Sequence, residues 1–166
     1  MTPKNVRDAQ PPGRPPLDRT DRAILAALEQ DGRIPNNALA ARVGVSPSTC
    51  LGRVRDLQRR GVIRGVHADV DPTAAGFPLQ AMIAVRLRVH VREQVLAFRA
   101  SATSLPGVLA VFHMSGKDDY LLHVALPGAD ALRDFVLEHL TGHPAVGHTE
   151  TNLIFEHVRG VDPLGL

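Results

Sequence analysis

The chain has 166 residues, 44% of them hydrophobic, a formal net charge of +2 and one cysteine. That is enough apolar content for a core in one or two small domains, and it excludes an internal disulfide. No apolar run approaches the length of a membrane span, and the opening MTPKNVRDAQPPGRPP lacks the apolar core of a signal peptide, so the cytoplasm is the expected compartment.

Residues 1–16 read as a flexible, proline-rich, mildly basic tail. A first helix is predicted over Leu17 to Gly32. Asp18 caps it, Asp21 sits in the first turn beside the positive end of the dipole, Ile24, Leu25 and Leu28 line one face, and Gly32 ends it.

A second, shorter helix follows. Asn36 or Asn37 offers a capping oxygen, Ala38, Leu39, Ala40 and Val43 form the apolar face, and Gly44 supplies a left-handed end. Ser46-Pro47 is another start signal, because serine caps while proline suits a first helical position, where its missing N–H costs nothing. Two helices joined by about three residues have the layout of a helix-turn-helix.

The third helix carries the chemistry. Cys50, Leu51, Val54 and Leu57 recur at helical spacing and are expected to face the core, with Thr49, Gly52, Arg53, Asp56 and Arg60 on the opposite side. Its start, with Ser46, Ser48 and Thr49, offers N–H groups and hydroxyls to phosphates or base edges in a major groove. Arg53, Arg55, Arg59, Arg60 and Arg64 extend a cationic flank. The plainer alternative is a solvated face in which Asp56 pairs with Arg53 or Arg60. Gly52 costs the helix about 1 kcal/mol against alanine. Either it lets DNA approach closely or this is simply a poor helix. Beyond it, Val62, Arg64, Val66, Ala68 and Val70 alternate like a strand or wing until Asp71-Pro72.

Charge is divided unevenly. Met1 to Ala75 holds twelve Lys+Arg against eight Asp+Glu, a net of +4, and the remainder seven against nine, a net of −2. The positive share therefore gathers on the helix-turn-helix half, as binding to phosphates requires.

The remainder alternates strand and helix. Ala81 to Val89 places Ile83, Val85, Leu87 and Val89 on one face against Ala84, Arg86 and Arg88. Arg92 to Ser104 reads as a helix with Val95, Leu96 and Phe98 apolar. Val108 to Met114 and Tyr120 to Leu126 form a hairpin around Ser115-Gly116-Lys117-Asp118. Ala129 to Thr141 is a second helix through Leu132, Phe135, Val136 and Leu140, and Val146 to Val158 the last strand. The order β-α-β-β-α-β is the ferredoxin-like arrangement. Its helices cover one face of the sheet only, and dimerisation through the other is the economical solution. Two heads related by a two-fold axis suit a pseudo-palindromic site on double-stranded DNA.

The succession LDRTDRAIL, DGRIPNNALAARVGVSPSTCLGRVRDLQRRGVIRG, an apolar strand region and SGKDDYLL resembles the Lrp/AsnC, or feast/famine, regulators over nearly all of Leu17 to Gly160. The resemblance implies an α+β chain: a winged helix-turn-helix at 17–66, a linker strand and hinge at 67–79, a ferredoxin-like dimerisation and effector domain at 80–160, and a tail at 161–166. It implies homodimers assembled further into tetramers or octamers. It also implies a small effector, usually an amino acid, bound between dimers by the segment matching Ser115, Gly116, Lys117, Asp118, Asp119 and Tyr120, with Thr149, Thr151 and Asn152 on the last strand. The residues themselves fit that role, since Gly116 admits close backbone approach, exposed N–H groups receive a carboxylate and Asp119 accepts from an ammonium. They equally suit an ordinary Gly/Asp turn. Asn152 stands where the leucine-responsive members carry an aromatic residue, which leaves the effector's identity open.

Eight histidines raise a metal or pH-sensing alternative. His113 and His123 flank the hairpin symmetrically and are expected opposite each other on adjacent strands, but no compact ligand set accompanies them, and His90, His139, His143, His148 and His157 are scattered. No metal, cofactor or catalytic residue is expected. Two rivals remain: an enzyme on this architecture, such as a siroheme-decarboxylase-like protein, and an effector module whose head serves only as an oligomer contact. No nucleophile motif, phosphate loop or acid and base pair supports the enzyme.

Overall fold

A computed structural model describes residues 16–88, 91–158 and 160. They form two units, the first ending at Ala68 and the second running Asp69–Val158. The expected tails before residue 16 and from 161 onward, with Val89 and His90, lie outside the described residues.

In the first unit, α1 (Arg19–Gln30) opens on a complete capping box, in which the Asp21 N–H donates to Asp18 Oδ1 at 2.8 Å and the Asp18 N–H donates back to Asp21 Oδ2 at 3.3 Å. It ends at Asp31, whose N–H still reaches the Ala27 carbonyl, one residue before the expected Gly32. α2 (Asn36–Val43) corrects the expected asparagine cap. Pro35 precedes it and no side chain caps it, while Asn36 lies inside the first turn and donates from Nδ2 to the Pro47 carbonyl at 2.9 Å. α3 (Pro47–Arg59) is capped by Ser46, as its Ser-Pro signal predicts.

Ile24, Leu25, Ala27, Leu39, Ala40, Cys50 and Leu57 form the core of this unit. Each large side chain buried there contributes roughly 1.5–3 kcal/mol. Two apolar expectations fail: Ala38 is exposed, and Leu51 is 40% exposed because it lies outside the arc of α3 that Cys50, Val54 and Leu57 turn inward. The alternating stretch after α3 is not a strand. The N–H groups of Val62 and Ile63 both return to the Leu57 carbonyl, and the following residues find no ladder partner among the described residues. Alternation marks a two-faced segment, but a strand exists only beside another strand.

The second unit begins with a turn at Asp71, whose carboxylate accepts from the Thr73 N–H. It continues as β1 (Leu79–Leu87), α4 (Arg92–Ala102), β2 (Val108–His113), β3 (Tyr120–Leu126), α5 (Ala129–Phe135), a π-helical continuation over Val136–Thr141, and β4 (Val146–Ile154). The sheet order is β2-β3-β1-β4, antiparallel throughout, the ferredoxin-like topology. Helices cover the face bearing Ala81, Ile83, Val85, Tyr120, Leu122 and Val124, which with Phe98, Leu132, Phe135 and Leu140 make the core. Of the apolar residues of α4, Phe98 is buried and Leu96 is 43% exposed. β4 stops at Ile154 rather than Val158.

The other face of the sheet is open. Its cross-strand rows are Phe112, Leu121, Ala84 and Glu150, then Ala110, His123, Met82 and Asn152. Ala84 is buried there by its neighbours, whereas Phe112 is 47% exposed.

Candidate nucleic-acid interface and effector hairpin

The start of α3 is tightly organised. Ser46 Oγ accepts from the Thr49 N–H at 3.2 Å and shares hydrogen bonds with Thr49 Oγ1 at 2.8 Å and Ser48 Oγ at 3.1 Å. Ser46, Ser48 and Thr49 are all exposed. Gly44, at φ 74°, makes the left-handed turn that brings α2 and α3 together. The Asn36 bond to Pro47 then ties the two helix starts. A cap from Asn36 or Asn37 is what the local sequence suggests, whereas this tie spans eleven residues and leaves no local signal.

Along α3 the exposed positions Ser48, Gly52, Arg55 and Arg59 are spaced four, three and four residues apart and form one outward stripe. A Cβ added at Gly52 would meet nothing within 4 Å, so its backbone is the lowest point of that stripe.

The expected arginines separate into two groups. Arg55 and Arg59 lie on the stripe, and Arg59 also pairs with Asp56. Arg53 is turned aside to α1, where it pairs with Asp18 and, at 3.1 Å, with Asp21. Arg60 is mostly covered, 3.2 Å from Asp56 and 3.9 Å from Asp21. Asp56 thus pairs with Arg59 and Arg60, not with Arg53. The electrostatics follow the contacts. The Asp21 N–H, and after it the Arg53 guanidinium, hold the Asp18 carboxyl below the ordinary range, while Arg60 and Arg59 do the same for Asp56. Burial pushes the Cys50 thiol up, in keeping with a packed, unreactive side chain.

In the second unit the hairpin between β2 and β3 is fastened to the end of β1. The Asp119 N–H donates to the Val85 carbonyl at 3.0 Å, and Asp119 Oδ2 accepts from the Leu87 N–H at 2.8 Å. Arg86 donates from Nε to the Lys117 carbonyl at 2.9 Å and from Nη2 to Asp118 Oδ1 at 3.3 Å. Lys117 Nζ stands 3.9 Å from Glu150 Oε2 on β4. Ser115, Gly116 and Lys117 are exposed at the tip. Arg86 and Glu150 were not singled out from sequence, although the alternation of β1 already placed Arg86 on the open face.

Tyr120 departs from the expected effector set. It is fully buried, its hydroxyl donates to the Val95 carbonyl at 3.0 Å, and its ring centroid lies 5.0 Å from that of Phe98. It is a core residue whose phenol is pushed up by burial. The β4 residues also divide. Thr149 and Thr151 stand opposite Val85 and Ile83 on the helix-covered side, whereas Asn152 stands opposite Met82 on the open side. Thr149 lines a cleft of about 220 Å³ with Arg88, Thr141, Val146, Gly147 and His148.

The two hairpin histidines do not face each other. His113 pairs with Tyr120, over which its ring stacks at 4.8 Å, and His123 pairs with Ala110 and Met82 on the opposite face of the sheet. The hairpin is centred between Gly116 and Lys117, so positions 113 and 123 are offset by three residues, an odd number that sends them to opposite faces. Among the described residues no three His, Cys, Asp or Glu side chains gather to hold a metal, and no helix is long and apolar enough to cross a membrane.

Residues 17–64 match the winged helix-turn-helix DNA-binding family, and residues 80–161 match the Lrp/AsnC ligand binding domain. The chain is similar to the HTH-type transcriptional regulator AldR of Mycolicibacterium smegmatis, 48% identical over 166 residues covering 96% of this chain and 97% of that protein. It is 39% identical to the leucine-responsive regulatory protein of Rhizobium meliloti over 143 residues, 86% of this chain and 92% of that one. Among solved structures it resembles a transcriptional regulator of Neisseria meningitidis in complex with L-Met, with a TM-score of 0.80, 34% identity, and coverage of 87% of this chain and 94% of that chain.

Proposed function

Because this chain belongs to the Lrp/AsnC family of DNA-binding transcription regulators, we propose that it reads double-stranded DNA through the outward stripe of α3 and responds to an amino acid bound beside the β2–β3 hairpin. The observation that carries the reading is the stripe itself. Ser48, Gly52, Arg55 and Arg59 share one face, led by a helix start at which Ser46, Ser48 and Thr49 are all exposed. Thr49 and the base of Gly52 approach base edges. Arg55 and Arg59 neutralise phosphates. Ser46 orders the helix start, and Arg53 and Arg60, held against α1, stand back from the groove.

In the second unit the hairpin tip and its neighbours combine opposite charges within a short span. Lys117, Arg86, Asp118, Asp119 and Glu150 offer partners to both ends of a zwitterion, and the tip residues Ser115 and Gly116 leave room for its backbone. The L-Met complex of the similar Neisseria meningitidis protein supports an amino acid as the class of effector. Thr149, Thr151 and Asn152 border the site from β4, with the two threonines on one side and the asparagine on the other.

The chain works by binding, without turnover and without a cofactor, in the cytoplasm where its DNA is. Two copies associate through the open sheet face, where Phe112, Leu121 and Met82 would otherwise meet water, and further association builds higher oligomers. An effector that binds one assembly better than another shifts the spacing of the heads, and by linkage DNA alters effector affinity by the same factor.

A thermal-shift screen of the amino acids on the full chain, followed by gel shifts on its own promoter with and without each stabilising compound, tests both halves. A promoter shift that one amino acid alters is the expected result. Absence of any promoter binding removes the DNA reading, and binding that no amino acid changes removes the effector.

A further inference from the structure

Asp21 is the sole buried charged side chain among the described residues, 3% exposed. A carboxylate is costly to bury unless it is paired and hydrogen-bonded, and each partner of Asp21 lies on one of the two elements it joins. At the start of α1 it accepts the N–H of the capping Asp18 at 3.3 Å. From α3 it takes Arg53 at 3.1 Å on Oδ1, and at the C-terminal cap of that helix it faces Arg60 at 3.9 Å on Oδ2.

Arg53 and Arg60 are seven residues apart, about two turns along α3, so they project from the same side of the helix. One carboxylate hydrogen-bonded to Arg53 and within ion-pair reach of Arg60 therefore fixes how far α3 is rotated about its own axis. The apolar contacts of Cys50, Val54 and Leu57 supply most of the attraction between the helices but are not directional. The charge-assisted Arg53 hydrogen bond is directional, and the Arg60 charge adds to it. We propose that Asp21 is a positioning residue for DNA reading, which clamps Arg53 and Arg60 so that Ser48, Gly52, Arg55 and Arg59 face outward, and which withholds Arg53 from the phosphates.

The inference rests on α3 being the recognition helix and adds a specific consequence to it. Base-edge contacts need the helix at a fixed angle, whereas phosphate contacts tolerate some rotation. Loosening the clamp should therefore damage discrimination between sequences more than affinity for DNA in general.

The test uses the full chain and a duplex enriched by it from a random-sequence pool, with fluorescence anisotropy measured across a range of salt. Asp21→Asn, which keeps the shape and removes the charge, is expected to weaken binding to the enriched duplex by about tenfold or more while binding to a scrambled duplex changes by less than about threefold. Arg53→Ala is expected to keep the wild-type slope of log affinity against log salt, and Arg59→Ala to make that slope shallower by about 0.9, one phosphate contact. Equal loss on both duplexes for Asp21→Asn, or a slope for Arg53→Ala as shallow as that for Arg59→Ala, overturns the proposal. Circular dichroism identifies a variant head that has not folded, and in that event the Arg53→Ala slope alone decides. If the wild-type chain enriches no sequence over the pool, the reading of α3 as recognition helix falls, which is a different result from either of these.

Discussion

The Asp119 carboxylate accepts the backbone N–H of Leu87 at 2.8 Å, and so a side chain at the base of the hairpin completes the hydrogen bonding of the strand that the hairpin abuts. Leu87 is buried, and removing the acceptor leaves its N–H without that partner. Asp119→Ala is expected to cost about 1–3 kcal/mol, read as a lower melting temperature. Asp119→Asn keeps an acceptor oxygen and should melt near the wild type. If Asp119 also receives the ammonium of an amino acid, the asparagine variant loses the effector-induced change in gel shift while keeping effector-free DNA binding. Retention of the full response in a folded Asp119→Asn protein would assign the residue to the hairpin alone.

Gly52 separates stability from function by sign. Alanine there fills open space and favours the helix, so Gly52→Ala is expected to stabilise the head by about 1 kcal/mol. If DNA approaches that bare backbone, the same substitution weakens operator binding. Melting and anisotropy on one protein preparation check both, and a stabilised variant with unchanged affinity removes the close approach.

Two glycines with positive φ differ in what surrounds them. At Gly44, φ 74°, an added Cβ meets nothing within 4 Å, so Gly44→Ala costs only the left-handed backbone penalty, about 1 kcal/mol. At Gly107, φ 83°, the Cβ would lie 2.8 Å from Leu126 Cδ2 and 2.9 Å from the Ala125 carbonyl oxygen, which belongs to the chain's own backbone. Gly107→Ala is expected to cost roughly 2–4 kcal/mol. Urea denaturation of the two variants gives the comparison, and a Gly107→Ala protein as stable as Gly44→Ala would contradict it.

His123 is expected to make the second unit sensitive to mild acid. Burial, and after it the nearby His157, lower its pKa in the folded protein, where Nε2 bonds Gln80 Oε1 at 2.9 Å. The unfolded chain then binds a proton near pH 6.5 that the folded chain still refuses, so stability falls as pH drops through that region and is regained above it. Melting temperature should decrease between about pH 7.5 and about pH 5.5, and His123→Gln should decrease less over the same interval. Parallel pH profiles for the two proteins would assign the effect to other groups.

Much of this architecture is written locally. The capping box of Asp18 and Asp21, the Ser46-Pro47 start and the left-handed Gly44 each act within a few residues, so the three helices of the head are legible from the sequence, as is the β-α-β-β-α-β order from strands whose alternation matches their two faces. The candidate site is legible only in outline. Helical spacing tells that Arg53 and Arg60 share a side of α3, but only the packing of α1 against that side turns them toward Asp21 and leaves Arg55 and Arg59 on the stripe. In the same way the pattern around the hairpin shows two strands and a turn, while the register, offset from the symmetric guess by an odd number of residues, decides that His113 and His123 lie on opposite faces. The stretch after α3 alternates like a strand, yet it has no ladder because no strand lies beside it among the described residues. Caps, turns and periodicity depend on neighbours along the chain, which the sequence by itself supplies. Ion pairs and strand registers depend on which surfaces meet, and tertiary packing alone decided those.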